Sequence, residues 1–457
     1  MLSIESIQMK TRPSSRFGRI VPALLCSAMV ACGGGGSESQ PSTSAPSASY
    51  TIAGTVTGLD SGLSLTLLNN GNDALTVDAN STFSFTDKVA FNSAYSVSIS
   101  AQPFWQYCAV SNGSGVATAN ESSVVVSCAA AEAVVSTFAG SGTSGAADGT
   151  GSAASFYIPL GVAVDASGTL YVADTENNEI RRITAAGVVS TFAGSTSAGS
   201  SNGAGSAASF SGPSGVAIDS TGNVYVADQN NQLIRKISPA GVVSTLAGSG
   251  SGGAADGNGT AASFRNPSGI AVDATGNVYV ADAGNNEIRK ITSSGDVSTL
   301  AGSTAAGAVN GTGSAASFSA PTGVAVDASG NVYVADSNNN EIRKITPTAV
   351  VTTLAGSGSS GSVDGTGAAA SFSSPEGLTS DAFGNVYVAD SFGEKIRKIT
   401  PGGGVTTLAG SGTQGSTNGT GTAALFRGPG GIAIDASGNI FVADSFNDEI
   451  RLISPGP

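Results

Sequence analysis

A proline that returns every 54 residues constrains this chain more than any other feature. Pro159, Pro213, Pro267, Pro321, Pro375 and Pro429 share one register with no insertion between them. Aspartates return in step at Asp165, Asp219, Asp273, Asp327, Asp381 and Asp435, and again at Asp174, Asp228, Asp282, Asp336, Asp390 and Asp444. Arginines follow at Arg181, Arg235, Arg289, Arg343, Arg397 and Arg451. A fixed period of this size describes units that pack on their neighbours rather than one irregular core.

Each unit carries four strand-like runs, typified by Gly323 to Asp327, Asn331 to Asp336, Glu341 to Ile345 and Val350 to Gly356. Four short antiparallel strands per repeat make a propeller blade. In the first two runs both side-chain parities are apolar, so each needs cover on both faces. Blades packed face to face supply that cover, and the small Gly323 and Ala325 suit an innermost strand. No stretch has the 3.6-residue period of a substantial helix.

The pattern from Pro321 through Gly323-Val-Ala-Val-Asp327 and Asn331-Val-Tyr-Val-Ala-Asp336 to Ile342-Arg343-Lys-Ile345 resembles the NHL repeat, over about residues 134–457. The resemblance implies an all-β, six-bladed β-propeller. The run at 135–140 precedes any inner strand, while the last unit stops at Ile453 after its third strand. The early run is therefore expected to supply the outer strand of the sixth blade, so that the N-terminal strand closes the ring.

Upstream, Lys10, Arg12, Arg16 and Arg19 flank an apolar run from Ile20 to Val30 that ends in small residues, as a secretory signal does. The run is too short to span a bilayer. Met29-Val30-Ala31-Cys32 resembles a lipobox, with Met where that family usually has Leu. The resemblance implies cleavage after residue 31 and acylation of Cys32; ordinary cleavage near Ala31, leaving a free thiol, is the alternative. Gly33, where an aspartate would signal inner-membrane retention, implies the outer membrane. Residues 32–49 read as a flexible Gly/Ser/Pro tether. Residues 50–130 show alternating strands at Tyr50–Val56, Ser64–Leu68, Thr82–Phe85, Tyr95–Ala101 and Ser123–Cys128, as in a small immunoglobulin-like β-sandwich. This region resembles the small sandwich domains that follow the tether in other bacterial lipoproteins, and its expected role is spacing. Cys108 and Cys128 are expected to form a disulfide in an oxidising compartment.

Charge narrows the partners. The formal net charge is −13, and removal of residues 1–31 takes it to −16 because four basic residues and one acid leave with them. Such a surface repels phosphate and argues against nucleic acid. The chain has no histidine, so the commonest general base and transition-metal ligand are missing. A residue that recurs in every repeat reads as structural: the first aspartate series as a turn device, the second as a partner for the arginines. The loop position Asp148, Asn202, Asp256, Asn310, Asp364, Asn418 could suggest calcium. Each loop supplies only one carboxylate, however, and no cofactor is expected.

Function is expected where repeats depart from their own pattern. After the leading proline stand Leu160, Ser214, Ser268, Thr322, Glu376 and Gly430, of which only Glu376 is charged. Its unit is also irregular at Leu378-Thr379-Ser380. Tyr157, Arg265, Asn266, Glu376 and Arg427 are the candidate ligand-binding residues at a rim of the central channel. The expected function is that of a monomeric, envelope-anchored binding or scaffold protein presenting this rim to a protein, glycan or small ligand, with only its lipid in the membrane. The alternative is a metal-dependent lactonase- or lyase-like enzyme at the channel.

Overall fold

The structure is a computed structural model that describes residues 48–457. The expected signal segment, Cys32 and the tether as far as residue 47 lie outside the described residues. The described residues form strands and short 3₁₀ turns.

From Ser49 to Ala130 the strands form two four-stranded sheets and one two-residue pair. One sheet runs Thr82–Ser84, Ile52–Thr57, Glu121–Ala130, Gln106–Ser111; the other runs Asp73–Val77, Leu65–Asn69, Ala94–Ala101, Ser114–Val116. Alternation selects the inward residues: Ile52, Leu65, Leu67, Phe83, Val124 and Val126 bury in one core. The strand holding Cys108 escaped the reading of alternation, because Pro103 and polar Gln106 interrupt it. Cys108 lies directly opposite Cys128 on adjacent antiparallel strands, and the two are disulfide-bonded. A bridge spanning 20 residues is worth about 3 kcal/mol. Reduction should therefore speed amide exchange in Gln106–Ser111 and lower the denaturant midpoint of these sheets. Unchanged exchange would show that the bond adds nothing.

This region touches the repeats rather than hanging clear of them. Trp105 is buried in the same cluster as Ile440 and Ile453. The Phe104 ring lies 5.2 Å from that of Phe383, which occupies a turn position held by Ser or Thr in the other repeats.

From Glu132 onward there are six five-stranded antiparallel sheets, the repeating form of a propeller. In the first, from inside outward, the strands are Pro159–Val164, Leu170–Asp174, Glu179–Ile183, Val188–Gly194 and the short Gly149–Thr150. The sixth takes its fourth strand from the start of the array: Glu132–Ala139 pairs antiparallel with Glu449–Gly456, Val135 opposite Ile453. The strands Leu170–Asp174, Val224–Asp228 and their four equivalents are buried at every residue. One parity packs against the preceding sheet and the other against the next. Ala163, Tyr171 and Ile180 thus share a core with Val216, Val224 and Ile237. The sixth sheet meets the first in the same way, Phe441 and Ile450 packing with Val162 and Leu170.

Close approach explains the glycine two residues after each proline. A Cβ on Gly161 would strike the Ser214 carbonyl, one on Gly323 that of Glu376, and one on Gly431 that of Leu160. The innermost strands therefore touch backbone to backbone, the sixth against the first.

Candidate functional site

The recurrent charges belong to a buried clamp. Arg181 is fully buried; its Nη1 donates to Asp174 Oδ2 at 2.8 Å and its Nη2 to Asp148 Oδ1 at 2.7 Å. The guanidinium also lies over the Phe156 ring, 5.5 Å from its centroid. Arg235 makes the same fork with Asp228 at 2.7 Å and Asn202 at 2.8 Å. The alternating loop position is thus an arginine acceptor, which Asp and Asn fill equally well. The carboxylates that could have suggested calcium, Asp148, Asp256 and Asp364, are engaged by Arg181, Arg289 and Arg397. Asp174 nonetheless sits deep enough that burial pushes it up to about 6, against the pull of its hydrogen bonds and of Arg181.

The other aspartate series closes turns at the far end of the inner strands. Asp165 Oδ1 accepts N–H bonds from Ser167 at 2.8 Å and Thr169 at 2.9 Å. For Asp219, burial acts upward, but bonds from Asn223, Thr221 and Tyr225 hold it down to about 2.

With these residues committed to structure, the axis of the repeats remains. The six inner strands enclose a channel of about 240 Å³, walled by their Gly-Val-Ala-Val segments. Thr379 and Ser380 supply the only polar side chains in that wall. At one end the channel opens into a cavity of about 260 Å³, where all six residues that follow the leading prolines converge. Five of these, Leu160, Ser214, Ser268, Thr322 and Gly430, are neutral, and the sixth is Glu376. Gln229 of the second sheet also reaches this cavity; the second and fifth sheets are opposite in the order of packing.

Glu376 is the sole titratable side chain of the cavity wall. Burial pushes its carboxyl up to about 7, opposed only in part by the Ser391 hydroxyl. Thr175, Ser337 and Ser445, which hold the position of Ser391 in other repeats, donate to the carbonyl of the next sheet's proline. On the strand Pro375–Ser380, Glu376 lies in the cavity wall and Thr379 and Ser380 in the channel wall.

The remaining candidates lie on the surface. Tyr157, Arg265, Asn266 and Arg427 are exposed, and none belongs to the cavity wall. Their backbones are held by the repeat: the N–H groups of Tyr157, Arg265 and Arg427 each donate to the buried aspartate of their own sheet at 2.7–2.8 Å. Asn266 donates its N–H to Gln232 Oε1 at 2.6 Å.

Two residues at this end went unread in the sequence. Phe392 and Phe446 are 66 % and 49 % exposed. They occupy the position filled by Glu176, Asn230, Gly284 and Asn338 in the other repeats. Phe392 directly follows Ser391. Phe446 donates its N–H to the Arg427 carbonyl at 3.1 Å. The same position-by-position comparison that isolated Glu376 would have found them.

The NHL repeat family matches residues 156–183, 210–237, 264–291 and 318–345. NHL repeat-containing protein 2 of Bos taurus is 32% identical over 327 residues, 63% of this chain and 45% of that protein. Protein SUPPRESSOR OF QUENCHING 1, chloroplastic, of Arabidopsis thaliana is 31% identical over 271 residues, 54% of this chain and 25% of that protein. The chain therefore spans less than half the length of these relatives. Among solved structures, a Bacteroides thetaiotaomicron protein of unknown function aligns with TM-score 0.58 at 19% identity, covering 85% of this chain and 90% of its own. An auxiliary nutrient binding protein from the same species aligns with TM-score 0.55 at 18% identity, covering 86% and 91%. At these identities the likeness is one of fold.

Proposed function

We propose that this chain of NHL repeats is a six-bladed binding propeller, held at the bacterial envelope by a lipid on Cys32, and that its ligand enters the mouth lined by Glu376. An immunoglobulin-like sandwich would seat the ring on its opposite end through Phe104 and Trp105. The observation that carries the reading is the cavity where six equivalent positions meet and one alone has become a carboxylate. A structural role for Glu376 would call for a partner such as the arginine that each of the fully buried Asp174, Asp228, Asp282, Asp336, Asp390 and Asp444 has. An auxiliary nutrient binding protein of the same fold is compatible with binding.

Glu376→Gln tests the site. It removes a partly desolvated charge, so the ligand-free variant should be at least as stable as wild type above pH 7. The sign follows from the raised value: the folded state holds this proton more tightly than the unfolded chain. Wild-type stability from this group therefore falls as pH rises from about 4.5 towards 7. A loss of stability in Glu376→Gln at pH 8, by chemical denaturation, would make Glu376 a structural residue. For the anchor, Cys32→Ala should move the protein from the membrane to the soluble fraction. Continued membrane association would remove the lipid from this proposal.

The enzyme reading rests on the same carboxyl, which titrates near neutrality as a general base would. It needs further reacting groups, and Thr379 and Ser380 are the polar side chains nearest along that strand. Lactone hydrolysis that depends on Glu376 would establish it.

A further inference from the structure

We infer that the ligand of the Glu376 mouth is a small organic cation, a primary or methylated ammonium, with its charged group against the Glu376 carboxylate. This rests on the binding reading above and names the ligand class. The cations of the fifth sheet are already committed. Arg397 is fully buried and bonded to Asp390 at 2.8 Å and Asp364 at 2.7 Å, Lys395 Nζ donates to the Ser362 carbonyl at 3.3 Å, and Lys398 Nζ lies over the Tyr387 ring, 5.9 Å from its centroid. The cavity wall offers Glu376 glycines, hydroxyls and the Gln229 amide, and no positive side chain. A carboxylate in that setting is complemented by a cation brought from outside; an anion would be repelled, and a neutral polyol would leave the charge uncompensated.

Two further observations agree. The net charge of −13 raises the local concentration of cations and lowers that of anions. A cavity of about 260 Å³ suits a small molecule rather than a polymer.

Binding should follow the ionisation of Glu376. The strands packed against Pro375–Ser380 are Pro321–Val326, Pro429–Ile434, Val332–Asp336 and Val386–Asp390, with the turn Ser391–Gly393. Their titratable groups are engaged elsewhere. Asp336 and Asp390 pair with Arg343 and Arg397, while the hydroxyls of Tyr333 and Tyr387 bond Asp327 and Asp381. Glu376 is thus the group whose proton a cation would displace. Affinity should be full at pH 8, fall through the value of about 7, and decline about tenfold per pH unit below it.

The test is titration calorimetry on the full mature chain, with choline and putrescine as cationic probes and glucose and acetate as neutral and anionic ones. The expected result is binding of a cationic probe at pH 8, weakened about tenfold at pH 6. Glu376→Gln should lose at least tenfold and become indifferent to pH. Failure of both cations to bind at millimolar concentration, or cation binding unchanged in Glu376→Gln, would overturn the inference. Glucose binding that depends on Glu376 would also overturn it, while leaving the mouth as the binding site.

Discussion

Arg289→Leu is expected to destabilise the repeat array by about 3–5 kcal/mol, the cost of breaking a buried ion pair from one side. The fully buried guanidinium donates to Asp282 at 2.9 Å, Asp256 at 2.6 Å and the carbonyls of Ser263 and Ala255 at 3.1 Å each. It also covers the Phe264 ring at 5.3 Å. Leucine fills much of the volume but leaves Asp282 with only its amide donors, Arg265 N–H and Asn285. Burial already holds Asp282 above its ordinary value in the wild type, and loss of the arginine pushes it higher. The deficit should therefore be greatest at pH 8 and shrink as the pH falls and Asp282 takes up a proton in the folded state. Asp282→Asn in the same chain should restore part of the loss at pH 8 by removing the stranded charge. Arg343→Leu should behave alike even though its second acceptor is Asn310. Denaturant midpoints at pH 5 and 8 read all three variants. A loss below about 1 kcal/mol at pH 8 would mean the clamp contributes register rather than stability.

The same clamp explains why so much of the fold was legible. Each of its members must recur, since every sheet has to satisfy the same buried carboxylate and carbonyls, and recurrence at a fixed interval is visible without coordinates. The apolar parity of Val324, Val326, Val332 and Val334 was equally plain, because strands covered on both faces read as unbroken hydrophobic runs. Glu376 stood out for the opposite reason, as one departure among six equivalent positions. What stayed hidden was distance from the axis. Arg265 and Arg427 depart from the pattern as clearly as Glu376 does, yet they are exposed and outside the cavity wall, which position 376 lines. Sequence reports which repeat has changed; only packing shows which positions converge. Phe392 was missed because its neighbours in register, Asn, Gly and Glu, make the position look like an ordinary turn. The seat of the N-terminal sheets on Phe383 went unread because one phenylalanine in a polar turn carries no period.

The second large effect concerns the strand Glu132–Ala139. A chain beginning at Ala131 is expected to fold as a soluble monomer, and one beginning at Ser141 is expected not to. The difference is one strand, but that strand pairs along Glu449–Gly456 from Gly456 to Ile450 and contributes buried Ala133, Val135 and Ala139. Its removal forfeits apolar burial and a ladder of backbone hydrogen bonds, on the order of 5–10 kcal/mol, comparable with the whole stability of a typical domain. It also uncovers a full sheet edge, which invites pairing with a second copy. Both chains lack Trp105, so its loss cancels in the comparison. Size-exclusion chromatography should give a monomer for the longer chain and oligomers or aggregate for the shorter. A peptide of residues 131–140 added during refolding should restore some monomer to the shorter chain, because the missing strand is held by pairing and burial and by no covalent tie to its sheet. If the shorter chain were monomeric and as stable as the longer, the sixth sheet would not depend on this strand. The five remaining sheets would then hold the channel and the Glu376 mouth together by the contacts of their inner strands alone.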